Sequence, residues 1–266
     1  MTDRGSASEA TSLAIRDRYL APSLYSPFAE DMARRLTRIS ASPLLDIMAD
    51  TGVLAQVVAS ALPADVAIVA TDPDPWAVER GSAKPGMSRV SWQRVDPLAL
   101  PFKAGSFGVV TCLLGVAMMP ERTELFREVR RVLRPEGRFM FTVLSHIRHN
   151  PVAASVEQAL VRDLPDSSPR FLADVLHGYH DSEAIDDDLT GAGFTDAAYT
   201  AIELPYAAAS AEEAATGYCL GTAVRHALPP RFLNLAVESA AEALRVQFGR
   251  GRIASAMRGQ VVLASG

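Results

Sequence analysis

Leu45-Asp46-Ile47-Met48-Ala49-Asp50-Thr51-Gly52 is the stretch on which the fold turns. The run Pro43 to Ala49 is short and apolar apart from Asp46, as expected of a strand covered on both faces. Val53 to Leu62 behind it reads as a helix, and Asp50-Thr51-Gly52 is the tight connection between them. The same unit recurs downstream. Val66 to Ala70, Val90 to Arg94, Phe107 to Leu114 and Phe139 to Leu144 are strand-like runs. Trp76 to Gly81 and the amphipathic stretch Pro120 to Leu133 are the helices among them. Strands alternating with helices predict a parallel α/β sheet. Arg134-Pro135-Glu136-Gly137 reads as a helix stop.

Beyond residue 144 the rhythm loosens. Asn150 to Asp163, Pro169 to Gly178, Asp181 to Ala192, Ala207 to Thr222 and Pro230 to Phe248 are helical in pattern. Phe194 to Leu204 and Gly259 to Ala264 complete seven strands. The expected fold is therefore α/β, a doubly wound seven-stranded mostly parallel sheet with helical lid insertions. Residues 1–40 form an N-terminal helical cap, with 1–12 disordered and the helices broken at Pro22 and Pro27. Residues 41–266 form one domain with insertions at about 148–192 and 205–250.

Composition narrows the function. Of 266 residues 48% are hydrophobic and 21% charged, an ordinary globular balance. The net charge of -5 argues against a nucleic-acid partner. Cys112 and Cys219 lie far apart without CxxC spacing, which argues against a disulfide framework or a cysteine zinc site, and no metal is expected. The polar start MTDRGSASEA has no apolar signal core behind it. The longest apolar run, Phe107 to Pro120, is interrupted and too short for a bilayer. A cytoplasmic protein with no membrane partner is expected, a monomer or homodimer acting on a small molecule.

In a doubly wound sheet the ligand sits beyond the carboxyl ends of the strands. Three such loops stand out: the one after Leu45-Asp46, Ala70-Thr71-Asp72-Pro73-Asp74, and Arg94-Val95-Asp96-Pro97-Leu98. In that order, and with Leu125 to Arg138 following, they resemble the class I S-adenosylmethionine-dependent methyltransferases of Rossmann-like fold. The likeness is to the small-molecule branch related to quinone C-methylases, and it is strong over about residues 40–145. It implies S-adenosylmethionine as cofactor and assigns Asp72 to the ribose hydroxyls, Asp96 to the adenine amino group and Leu98 to the ring face. Asp46, Asp50 and Gly52 would flank the methionine end. A carboxylate suits vicinal hydroxyls because it accepts two hydrogen bonds without rearranging. Asp72 and Asp96 each precede a proline, so a plain turn role stands beside the ligand role.

The first loop departs from the family, which places glycine where this chain has Met48 and Asp50. Glycine serves there because the backbone must turn tightly and approach the ligand. Asp50 is placed to cap the following helix, an effect of about 1 kcal/mol. Gly108 stands where the family often has an acid.

Methyl transfer asks for alignment and, where the acceptor must lose a proton, a base. His146, after the fifth strand, and His180, in the first insertion, are the candidate catalytic bases. Cys112 reads as an inert buried thiol, and the arginines from 127 to 138, interleaved with glutamates, as a solvated face. The expected activity is methyl transfer to a small, fairly apolar acceptor, natural-product or quinone-like. The alternatives are a cyclisation, isomerisation or other non-methylating reaction on the same fold, or a non-catalytic binding protein.

Overall fold

The structure is a computed structural model describing residues 10–39, 43–164 and 170–266. Of the N-terminal residues expected to be disordered, 1–9 fall outside the described part and 10–12 are helical instead; Pro169 also falls outside it.

The chain divides into two compact units. A sheet-based unit holds Phe28–Val143, Tyr179–Ile202 and Gly259–Gly266. A mainly helical unit holds Met1–Pro27, Leu144–Gly178 and Glu203–Arg258.

The strands are β1 (Leu44–Ile47), β2 (Ile68–Asp72), β3 (Val90–Arg94), β4 (Phe107–Leu113), β5 (Leu133–Leu144), β6 (Asp196–Ala208) and β7 (Ile253–Ser265). They form one sheet in the order β3-β2-β1-β4-β5-β7-β6. The pairings from β3 to β5 are all parallel. The order reverses between β1 and β4, so the crevice of a doubly wound sheet falls at their carboxyl ends.

Within the sheet unit, apolar residues alternate onto two faces. Leu45, Ile47, Val110, Cys112, Phe139 and Phe141 pack with α4 (Arg122–Val132) and α6 (Ser182–Gly191). Leu44, Ile68, Val109 and Met140 pack with α1 (Ser26–Leu36) and α2 (Val53–Ala61). Phe126, Phe139 and Phe141 stand 4.7–5.5 Å apart, ring centre to ring centre, beneath α4. Each strand carrying both faces inward explains why β1, β4 and β5 read as continuous apolar runs. The helix after β2, α3 (Pro75–Ser82), is capped by Asp74, whose carboxylate accepts the Trp76 N–H at 2.9 Å.

Several boundaries differ from the sequence reading. The N-terminal helices are not broken at proline. Pro22 sits inside a π-helical stretch, Arg16–Tyr25, and Pro27 is the second residue of α1. The wider π turn absorbs the missing N–H of Pro22, and the Ser23 hydroxyl donates to the Tyr19 carbonyl at 2.5 Å. β5 starts at Leu133 and runs through Arg134-Pro135-Glu136-Gly137, because Pro135 forces the preceding residue to be extended once α4 has ended. β6 and β7 are longer than their apolar runs. In β6 exposed and half-buried residues alternate, so a search for apolar runs underestimates it. Gly108 lies at a register irregularity between β4 and β5, and its N–H donates to the Pro43 carbonyl at 2.9 Å.

The helical unit includes α5 (Pro151–Asp163), α7 (Ala211–Gly221), α8 (Val224–Ala227) and α9 (Leu233–Phe248). No helix among the described residues is long and apolar enough to cross a membrane.

Candidate active site

The loop after β1 has an unusual backbone. Met48 has φ 51°, Asp50 φ 50° and Gly52 φ 80°. All three positions lie in the left-handed region that favours glycine, although only one is glycine. Leu114, just past the end of β4, is also left-handed at φ 56°. Among the described residues these are the three non-glycine positions of positive φ, and they sit at the ends of the two strands flanking the switch point. Strain of this kind is kept where the surroundings over-determine it, and it gathers at functional sites.

Hydrogen bonds hold the strained turns. The Asp50 N–H donates to Asp72 Oδ2 at 2.8 Å, and the Ala49 N–H to the Thr71 carbonyl at 2.9 Å. The Leu114 N–H donates to the Thr142 hydroxyl of β5 at 3.1 Å. Gly52 is the N-cap of α2, with no side-chain capping bond. Asp50, expected to cap this helix, lies two residues before the N-cap position. Met48 packs against Gly115, where an added Cβ would meet Met48 Cβ at 3.1 Å and Cys112 Sγ at 2.8 Å.

Three aspartates converge on this loop. Asp46 is fully buried on β1; its Oδ1 accepts from the Thr111 hydroxyl on β4 at 2.8 Å, while Oδ2 is buried without a partner. Burial raises its pKa from 3.8 to about 7, opposed by the Thr111 hydrogen bond and helped by the charge of Asp72. Asp72 ends β2 and is 8% exposed, with Oδ1 accepting from the Asp74 N–H at 2.9 Å. Burial raises it to about 6, with a further push from the Asp50 charge. Cys112 is buried and its thiol is pushed up by burial, as expected of an inert group.

The third loop is fastened separately. Asp96 is exposed, and its Oδ1 accepts from the Leu98 N–H at 2.9 Å in a tight turn, with Leu98 half buried against the core. Two residues further on, Glu128 on α4 accepts the Leu100 N–H at 2.8 Å. Arg131 donates to the carbonyls of Leu100 and Phe102, both at 2.7 Å. Part of the arginine face therefore secures this loop, while Arg127–Glu124 at 3.1 Å is a plain surface pair.

Asp46, Asp50, Gly52, Asp72, Asp96 and Leu98 thus all belong to the sheet unit, at the carboxyl ends of β1, β2 and β3. His180 belongs to that unit too, and its backbone carbonyl accepts from Gln260 Nε2 at 3.0 Å. His146 belongs to the helical unit, where its Nδ1 accepts the Arg148 N–H at 3.2 Å. Sequence reasoning missed Thr111, Leu114, Gly115 and Thr142. The signal for the threonines was present: each is a lone hydroxyl within an otherwise apolar run, Phe107 to Leu114 or Phe139 to Leu144. Among the described residues no three His, Cys, Asp or Glu side chains are grouped to hold a metal.

The acids at the ends of β1, β2 and β3 and the left-handed loop stand where doubly wound sheets bind nucleotide-type ligands. Residues 44–137 match the family model of a methyltransferase domain, and the sheet has the fold of the class I S-adenosylmethionine-dependent methyltransferases. It is 28% identical over 163 residues to the ubiquinone/menaquinone biosynthesis C-methyltransferase UbiE of Geotalea uraniireducens, covering 57% of this chain and 69% of the relative. The YcgJ protein of Bacillus subtilis has the same fold at 18% identity and TM-score 0.56, over 89% of this chain and 97% of that one. So has the [4+2]-cyclase SpnF at 22% identity and TM-score 0.55, over 89% and 79%.

The cofactor of this family is S-adenosylmethionine, and the residues present fit it. Each Asp72 oxygen is anchored by one backbone N–H and, as a carboxylate oxygen, retains a second acceptor position. The buried, unpartnered Asp46 Oδ2 is an acceptor awaiting a donor or a cation. The loop backbone keeps the left-handed turns at 48, 50 and 52 despite two side chains.

Proposed function

We propose that the protein transfers a methyl group to a small, fairly apolar acceptor of quinone or natural-product type. The left-handed backbone at Met48 and Asp50 carries the reading: a chain that no longer used this cradle would gain by relaxing it. The name of the relative at 28% identity, a quinone C-methyltransferase, supports the acceptor class.

Asp72 would hold the ribose hydroxyls and Asp96 the adenine amino group, with Leu98 against the ring. Asp46, Asp50 and Gly52 would face the methionine end. When bound, the cofactor supplies an electrophilic methyl group on a sulfonium. The chain's part is to orient the partners, exclude water and accept a proton where the acceptor must lose one. His146 and His180 are the proposed bases. With its Nδ1 lone pair held by the Arg148 N–H, neutral His146 carries its proton on Nε2 and so must release that bond before it accepts another.

A second reading, a cyclisation or isomerisation without methyl transfer, is favoured by Met48 and Asp50 themselves. They put side chains where the family keeps open backbone. A non-catalytic binding protein is the limiting case of that reading.

Calorimetric titration with S-adenosylmethionine and S-adenosylhomocysteine tests the cofactor role. Micromolar binding by the unaltered protein, weakened about tenfold or more in Asp72→Asn, is the expected result. No binding to either ligand at millimolar concentration would overturn it. Product mass then separates the two reactions, since methylation adds CH₂ and a rearrangement adds nothing.

A further inference from the structure

The helical unit contains a cavity of about 330 Å³ that shares no residue with the loops after β1, β2 and β3. Its wall is one stripe of α5, on which Ala154, Glu157, Gln158, Val161 and Arg162 recur at helical spacing. The opposite stripe, including Val152, Val156 and Leu160, is buried in the core of the unit. Ile147 and Arg148, from the turn after β5, and Arg170 and Ala173 close the other side.

The lining is mostly apolar, yet its charges are not balanced within it. Arg162 is paired through two hydrogen bonds with Asp163, at 2.6 and 2.7 Å, and Asp163 also accepts from Ser239. Arg148 donates from Nε to the His149 ring at 3.0 Å. Arg170 meets the cavity as an exposed guanidinium whose charge acts on Glu157. Glu157 is the inward group. It is 7% exposed, accepts the Ala173 N–H at 3.4 Å, and burial raises its pKa despite the Arg170 charge, with Asp174 adding to the rise. Val161, at 44% exposure, is a large apolar side chain left at the mouth. Two exposed guanidiniums, an apolar wall and a buried acceptor thus line one cavity.

We propose that this cavity binds a small organic anion with a flat apolar body and a hydrogen-bond donor opposite its acid. Arg148 and Arg170 take the acid, Ile147, Ala154 and Val161 contact the body, and Glu157 accepts from a hydroxyl or amine at the far end. The volume suits such a molecule, at the small end of the roughly 300–1,000 Å³ range of ligand pockets. The inference does not depend on methyl transfer.

The test is calorimetric or NMR titration of the full chain with 4-hydroxyphenylacetate. Phenylacetate, which lacks the donor, and 4-hydroxyphenylacetamide, which lacks the charge, serve as comparators. Saturable binding with Kd on the order of 0.1–1 mM is expected, with both comparators weaker by roughly tenfold. Arg148→Gln combined with Arg170→Gln weakens the hydroxy acid by a similar factor but leaves the amide unchanged. Val161→Trp fills the mouth and abolishes binding at unchanged melting temperature, so loss of the site is distinguished from loss of the fold. No saturable binding up to about 10 mM, or binding indifferent to both the arginine pair and Val161→Trp, would overturn the proposal.

Discussion

Gly52 is the one glycine kept in the loop after β1, and its surroundings say why. A Cβ at Gly52 would lie 2.7 Å from two ring carbons of Trp92 and 2.8 Å from Met87 Cε. Met87 ends in a flexible thioether and can give way. Trp92 cannot, because Gly81 on α3 is pressed against the same ring. Gly52→Ala therefore meets two penalties. Holding alanine at a left-handed φ costs about 1–2 kcal/mol, and overpacking about 1–3 kcal/mol. The smaller unfolded-state entropy of alanine returns roughly 0.5–1 kcal/mol. The net expectation is a loss of about 2–3 kcal/mol, or roughly 5–10 °C in melting temperature for a chain of this size. Urea and thermal unfolding followed by far-ultraviolet circular dichroism measure it. In a Trp92→Leu background the steric part disappears, so the same substitution then costs about 1 kcal/mol, and the double-mutant cycle reports the difference as coupling. A loss below about 0.5 kcal/mol in the unaltered background, or no coupling to Trp92, would refute the packing argument.

Asp46 and Asp72 make stability depend on pH in a stated direction. Their folded pKa values, about 7 and about 6, lie above the ordinary 3.8, so the folded state binds more protons between those limits. The stability they contribute is full below about pH 4 and is lost as pH rises through 6 and 7. For Asp46 alone the span corresponds to at most about 4 kcal/mol. The ligand-free protein should therefore melt lower at pH 8 than at pH 5, and Asp46→Asn should flatten that slope. An unchanged slope in a folded Asp46→Asn protein would contradict the assignment. At Asp50, strain and charge separate by substitution: Asp50→Gly and Asp50→Asn should both hold or raise stability, by up to about 1 kcal/mol. Asp50→Ala should fall about 1 kcal/mol below Asp50→Gly, because alanine tolerates the left-handed turn least. Equal melting temperatures for alanine and glycine would mean that residue 50 is not left-handed. Gly115→Ala should cost about 1–3 kcal/mol through contact with Met48 and Cys112. Met48→Gly should recover part of that loss, and strictly additive effects would show that the two residues do not touch.

The sheet was legible because its central strands are buried on both faces. β1, β2, β4 and β5 announce themselves as apolar runs, and their order with the intervening helices admits few topologies. The edges of that legibility are physical as well. β6 and β7 extend past their apolar segments because backbone pairing continues where side chains alternate between half-buried and exposed. Pro22 was expected to end a helix, yet the π turn and the Ser23 hydroxyl accommodate it. A proline rule states where an N–H is missing, and only the neighbours decide whether its loss is absorbed.

At the site, the acids were readable from spacing, but the backbone was not. Nothing in the letters Met48 and Asp50 says that both residues keep a conformation suited to glycine. Asp50 is the milder departure, since aspartate tolerates the left-handed region better than most residues. Met48 is the costlier one, and its packing against Gly115 shows how it is housed: the open space lies on the β4 side of the contact rather than in the loop. Leu114, the residue before Gly115, is the third left-handed position, and its N–H is held by Thr142. Strain on both sides of the switch point is thus tied down by neighbours, Asp72 under the first loop and Thr142 under the second. A fold that needed only stability would shed strain at three positions within reach of simple substitutions. Its retention between buried acids argues that the shape of these two loops, rather than the identity of their glycines, is what the ligand requires.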